Sequence, residues 1–329
     1  SHPTVVTARS VVMRDGRIIA RDLRVVHASG AYGALKSNAS LATWHYAGGL
    51  YRVENAAIEY LQIYTNTVPG GYFRSPGSVQ TFFALESHTD IIARELGIEP
   101  AEFRLRNLIN EGEKDAVGQQ LRHVRSREVL KAALDAAGWK KPKRGPGWGR
   151  GVALYGRHIG GDDTGIILSA EPDGTFTVIS PTVDQGAGTH TILQQIVADE
   201  LKIPIEQVRV RAGDTDTAPR DSGARASRVT YVAGRAAVRA CGELREQLLA
   251  QAARILECPP SEVDWENGSF FFRQDRRQQV ALRRVLTQAG GRLSVTIHEV
   301  APYPEDVTYV CAQIAEVNVD PETGAMRLH

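Results

Sequence analysis

The sequence predicts an α+β fold: mixed, largely antiparallel sheets with helices packed on them in two layers, arranged as two domains. Three observations carry the prediction. Strand-like and helix-like segments alternate irregularly. Hairpin turns recur at Asp15-Gly16, Pro172-Asp173-Gly174 and Asn267-Gly268. A basic stretch rich in Gly and Pro, GWKKPKRGPGWGRG at 138–151, interrupts the pattern. Regular βαβ repetition, which would signal a doubly wound parallel sheet, is missing, and no internal repeat or low-complexity tract is seen.

The elements follow in order. TVVTARSVVM and DGRIIARDLRVV read as strands joined at Asp15-Gly16. Residues 30–49 are rich in Gly, Ala and Ser and read as loop, with room for one helical turn. AAIEYLQIYTN reads as a strand through Ile58, Tyr60 and Ile63. Residues 79–96 read as a helix with one buried stripe, Phe82, Phe83, Leu85, Ile92 and Leu96, stopped by Gly97. A second helix is expected over 100–109, with Pro100 in its first turn, and a third over 126–137.

The first domain is therefore placed at 1–140, an exposed connector at 141–151, and the second domain at 152–329. Beyond the connector, GIILSAEPDGTFTVISP is a hairpin, 189–201 a strong helix after Gly188, and IEQVRVRAGD a strand. Residues 230–257 form a long helix ended by Pro259-Pro260, SEVDWENGSFFFR a hairpin, and 280–289 a short helix, before two last strands. The end, TYVCAQIAEVNVDPETGAMRLH, is strand, turn and the start of another strand, so the chain reads as an excised or truncated piece.

Bulk properties narrow the function. The 329 residues can bury a substantial core, and 42% hydrophobic with 23% charged residues is ordinary for a globular protein. A net charge of +1 implies no strong attraction to nucleic acid or anionic lipid. No apolar run is long enough to span a bilayer, and no secretory signal opens the chain, so a cytoplasmic setting is expected. Cys241, Cys258 and Cys311 are too dispersed for an iron–sulfur or zinc site and read as buried or free thiols.

Three glycine- or alanine-rich elements could carry chemistry. In TVDQGAGTHT a tight loop directly precedes a helix, where unpaired N–H groups and the helix dipole favour an anion. Gly186 and Gly188 would let a phosphorylated ligand approach the backbone, although an ordinary helix-start turn explains this loop as well. It lacks the Walker lysine and the Gly-x-Gly-x-x-Gly spacing. In SGARASRVTYVAG, small residues precede the long helix, and Ser227 and Thr230 suit either N-capping or a ligand. In PGGYFRSPG a constrained loop holds Arg74, whose fork suits phosphate or carboxylate, or else points into solvent. Two such helix starts, each after a strand, could converge on one extended anionic ligand.

These segments, in this order, resemble the molybdenum-cofactor subunit of the xanthine dehydrogenase, aldehyde oxidase and carbon monoxide dehydrogenase family. TNTVPGGYFR, LGIEPAEFRLRNLI, GRGVAL, the glycine turn with THT, QIVADELKIPIEQVRVRAGDTD, GARASR with VAGRAA, and AEVNVDPETG are collinear with it, and GLYRVEN fits its G-x-Y-x-x-x-N element. The resemblance implies two molybdopterin-binding-type domains and a pterin-dithiolene molybdenum cofactor, in the cytosine dinucleotide form. It implies oxidation of an aldehyde, an N-heterocycle or carbon monoxide with oxygen from water. Iron–sulfur clusters and FAD would reside on partner domains or subunits. Carried over by position, Phe73 and Arg74 would sit beside the molybdenum. Gln185, Gly186, Ala187 and Gly188 would form the turn approaching pterin and dithiolene, and Ala226, Ser227, Val229 and Thr230 would line the metal and the pterin phosphate.

Departures from the family pattern are specific. Ala187 stands where Gly-Gln-Gly is common, Val229 where some members have a hydroxyl, and Ser75-Pro76 where a glycine-led run is usual. The family's glutamate base, in a Gly-x-Gly-Glu context, has no counterpart here, so no catalytic residue or metal ligand is assigned and the chain alone is expected to be inactive. A different class, a non-catalytic scaffold that keeps the fold without cofactor, stays open because of Ala187. Elsewhere, Glu86, His88 and Asp90 read as a solvated helix face rather than a metal site. His158 with Asp162 and Asp163 suits a pocket wall or a loop, His190 suits packing, and the basic cluster at 140–144 a solvated linker. No nucleophile elbow appears.

Overall fold

The computed structural model describes residues 2–32, 48–71, 74–75, 77–142, 144–266, 268–304 and 308–329, with only the backbone of His158 and Thr308. By internal packing the chain divides into two units, Ser1–His158 with Glu305–His329, and Ile159–Pro304.

In the first unit, alternation of apolar and polar residues makes β1 (Thr4–Val12) and β2 (Ile18–Ala28) an antiparallel pair, with a register slip between Val11 and Val12. β3 (Asn55–Ile63) pairs parallel to β2. α1 (Ser78–Glu95) drives Leu85 against Leu23 and Val25 of this sheet. Its buried face is Thr81, Phe82, Leu85, Glu86, Thr89 and Ala93. The expected stripe included Phe83, but Phe83 is 77% exposed. One residue turns a helix by 100°, so Phe82 and Phe83 cannot share a face. α2 (Pro100–Asn107) opens on Pro100, with the Glu99 carboxylate accepting the Glu102 N–H at 2.9 Å. α3 (Ser126–Ala136) follows.

β4 (Trp148–His158) begins inside the segment read as a connector. It pairs antiparallel with β12 (Thr308–Val319), which carries β13 (Met326–Leu328) on its other edge. Arg150, opposite Glu316, donates to it at 2.7 Å, and so ends the loop character of the basic stretch. This return of the distal strand puts the C-terminal residues in the first unit, a long-range pairing that no local pattern announces.

In the second unit, β5 (Asp162–Ala170), β6 (Phe176–Ser180), β7 (Val208–Ala212) and β11 (Leu293–Ala301) form one sheet in the order β11-β5-β6-β7, with only β6 and β7 parallel. α4 (Thr189–Leu201) and α5 (Val229–Leu256) cover it. Ala233, Ala236, Ala237, Ala240 and Cys241 on α5 are fully buried, and such small side chains let the helix lie close to its neighbours. Burial pushes the Cys241 thiol up to about 12.

A second sheet holds β8 (Val263–Glu266), β9 (Ser269–Phe272) and β10 (Asp275–Ala281), and α6 (Leu282–Gln288) follows. The helix expected over 280–289 therefore starts late. DRRQQVA shows only Val280 to the core and is drawn into a strand by pairing with β9. Antiparallel pairs predominate among the described strands, as the α+β reading requires. Among the described residues no helix is long and apolar enough to cross a membrane.

Candidate functional site

Two turns of the second unit, each ahead of a helix, are brought together. The Gln185 carboxamide donates from Nε2 to the Ala224 carbonyl at 2.9 Å. Beside it Thr182 Oγ1 faces Asp221 Oδ2 at 3.5 Å. The sequence had suggested that the two helix starts converge on one anionic ligand, and this hydrogen bond joins the turns that precede them.

The first turn is not the bare anion nest expected from its glycines. Asp184 Oδ1 accepts the N–H groups of Gly186 at 2.8 Å and Gly188 at 3.1 Å. Desolvation pushes this carboxyl up, but the N–H groups of Gly186, Gly188 and Ala187 outweigh it and hold the carboxyl below its usual value. Gly188, at φ 79°, is the N-cap of α4 and has no side-chain cap. A side chain at Gly186 or Gly188 would meet nothing within 4 Å, so these glycines serve the left-handed backbone and leave open space beside the turn. Gln185, Gly186 and Ala187 are exposed and Gly188 half-buried.

The second turn is strained. Ala226 at φ 52° and Ser227 at φ 57° are consecutive left-handed residues, each costing about 1–3 kcal/mol. Their conformation needs support, and Gly160 supplies part of it by donating its N–H to the Ala226 carbonyl at 2.8 Å. A Cβ on Gly160 would lie 2.8 Å from the Ala226 Cβ. The N-cap of α5 is Arg228, without a side-chain cap hydrogen bond. Val229 is half-buried and packs against the core of this unit, while Ser227 and Thr230 are exposed.

Arg228 and Asp221 went unread in the sequence, and Asp163 was read only with His158 and Asp162 as a pocket wall or loop. Arg228 lies within GARASR and is 1% exposed in its side chain. Its pairing with Asp221 and with loop carbonyls is tertiary, so no spacing rule reaches it. Asp184 did carry a signal, since Asp two residues before a glycine favours an Asx-type turn.

In the first unit, Arg74 at φ 43° and Ser75 at φ 49° form another left-handed pair, ahead of α1. Ser75 Oγ accepts from Tyr155 and from Arg157, each at 2.8 Å. The serine that departs from the usual run is thus the anchor of the loop. Arg74 is exposed, and Phe73 lies outside the described residues.

The face of α1 bearing Glu86 is not solvated. Glu86 accepts from Tyr51 at 2.7 Å, Arg104 Nε at 2.9 Å and the Leu154 N–H at 2.9 Å, and Arg104 also binds Asp90 at 2.6 Å. Among the described residues no group of His, Cys, Asp and Glu is arranged to hold a metal ion. His190 Nε2 lies 3.3 Å from the Thr182 carbonyl.

Two family models describe this chain. Residues 1–108 match one molybdopterin cofactor-binding domain, and 121–329 match a second. The chain belongs to the molybdopterin cofactor-binding domain family. It is 32% identical over 269 residues to the xanthine dehydrogenase molybdenum-binding subunit of Escherichia coli O157:H7, covering 78% of this chain and 36% of that protein. It is 28% identical over 305 residues to the carbon monoxide dehydrogenase large chain of Hydrogenophaga pseudoflava, covering 84% and 38%. Quinoline 2-oxidoreductase from Pseudomonas putida 86 shares the fold with a TM-score of 0.86 at 23% identity, over 99% of this chain and 46% of that one. The chain thus spans less than half the length of the relatives it matches. α4 and α5 both start without a side-chain cap hydrogen bond, beside glycines with open space around them.

Proposed function

We propose that this chain is the molybdopterin-binding portion of a molybdenum hydroxylase large subunit, a cytoplasmic enzyme that oxidises an aldehyde, an N-heterocycle or a related small molecule. The observation that carries the reading is the Gln185–Ala224 hydrogen bond, which sets two uncapped helix starts side by side. When bound, the molybdenum cofactor supplies the two-electron oxidation, with oxygen from water.

This chain's own residues hold and orient. By the family resemblance, Gln185, Gly186, Ala187 and Gly188 would border the pterin, Ala226, Ser227, Val229 and Thr230 its phosphate and the metal, and Phe73 and Arg74 the metal. The nucleotide form is cytosine dinucleotide. An iron–sulfur subunit and an FAD subunit accept the electrons. The 329 residues alone have no turnover, because the glutamate base and the redox centres lie elsewhere in the assembly.

One feature favours a second reading. Asp184 fills two N–H groups of the turn, and Ala187 offers no carboxamide, which is what a scaffold without cofactor would tolerate. Metal analysis with pterin extraction on the complete subunit, co-expressed with its partner subunits, separates the two. Stoichiometric molybdenum and pterin nucleotide support the enzyme. A folded, partner-bound complex free of both supports the scaffold.

A further inference from the structure

The Arg228 guanidinium is buried where the loops of the second unit meet. Nε donates to the Gly161 carbonyl at 2.7 Å, Nη1 to the Gly223 carbonyl at 3.0 Å and Asp221 Oδ2 at 3.1 Å, and Nη2 to the Asp163 carbonyl at 2.5 Å. Asp221 in turn accepts the Gly223 N–H at 2.5 Å. The two side chains are 1% and 5% exposed. Asp221 compensates the cation, so Arg228 has no free charge to offer a ligand. Its three nitrogens instead hold three separate carbonyls, a task for a planar fork and not for a single ammonium. The held segments flank Ala226 and Ser227, whose left-handed backbone starts α5.

We propose that Arg228 is a positioning residue: with Asp221 it locks Ala226 and Ser227 in the conformation that turns the start of α5 toward the cofactor. The cofactor half of this inference rests on the function proposed above. The backbone half does not.

The test is Arg228→Lys in the complete subunit co-expressed with its partners. It is compared with the double variant Arg235→Ala and Arg239→Ala, which removes from α5 both side-chain partners of the buried Glu299 on β11 and weakens the same unit without altering any group that Arg228 or Asp221 binds. Two quantities are read: molybdenum and pterin content, and hydrogen exchange of the amides at 221–230.

The expected result is at least a tenfold loss of cofactor in Arg228→Lys, with faster exchange confined to 221–230 and the adjoining 160–163. The double variant keeps its cofactor despite a lower unfolding temperature. Unchanged exchange in Arg228→Lys overturns the positioning role whatever the cofactor content. Equal cofactor loss in both variants overturns the link from loop geometry to cofactor and leaves a stability effect. A wild-type complex devoid of molybdenum and pterin overturns the proposed function and the cofactor half together, while exchange still decides the backbone half.

Discussion

Gln185 donates to the carbonyl of Ala224 across 39 residues of sequence, joining the turn that opens α4 to the turn that opens α5. Both groups lie at the surface of the unit, so the bond contributes little to stability and much to the relative placement of the turns. Gln185→Ala is expected to change the unfolding free energy by no more than about 1 kcal/mol. On the proposed function, the molybdenum content of the complete subunit should fall clearly below stoichiometric. Full loading of this variant would mean that the two turns are aligned without the bond.

Gly160 is required for close approach. An added methyl would sit 2.8 Å from the Ala226 Cβ, against a backbone already strained. Gly160→Ala should destabilise the second unit by about 1–3 kcal/mol, read from urea unfolding. A variant as stable as wild type would show that the loop moves aside freely.

Glu86 is the acceptor for three donors in the interior of the first unit: Tyr51, Arg104 and the Leu154 N–H. Glu86→Ala removes the acceptor of three interior donors, leaves Arg104 only Asp90 as counter-charge, and should cost about 3–5 kcal/mol. Asp90 is 30% exposed, so Asp90→Asn should cost no more than about 1 kcal/mol. Equal losses from the two substitutions, measured by urea unfolding, would refute this ranking.

His27 should make the first unit acid-sensitive. Burial, with the charge of His2 opposing as well, lowers its value from 6.5 to about 4. The depressed value means that the unfolded chain binds the proton first. The fold is therefore most favoured above pH 6.5 and loses stability as pH falls from 6.5 toward 4. The loss is at most about 3.5 kcal/mol, the 6.5 to 4 difference converted at about 1.4 kcal/mol per pH unit. His27→Asn should flatten that limb of a plot of unfolding temperature against pH. An unchanged slope would assign the sensitivity to other groups.

The contrast between Gly188 and Arg228 shows what each level of description supplies. Sequence alone determined the types of most elements and several helix starts, because the relevant forces are local. Period-2 alternation made β1 and β2, Pro100 opened α2, and Gly188 marked the start of α4 to the residue. The collinear motifs also determined the family. Tertiary structure decided which faces and partners those elements take. It put Phe83 in solvent and Glu86 in the interior, drew the polar DRRQQVA into a strand, and returned β12 to β4 across 150 residues of chain. It also filled part of the glycine turn with Asp184 and gathered Arg228, Asp221 and Asp163 behind the strained pair. The physical reason is that a charged side chain becomes buried only where distant groups supply its counter-charge and hydrogen bonds, and those groups are assembled by folding.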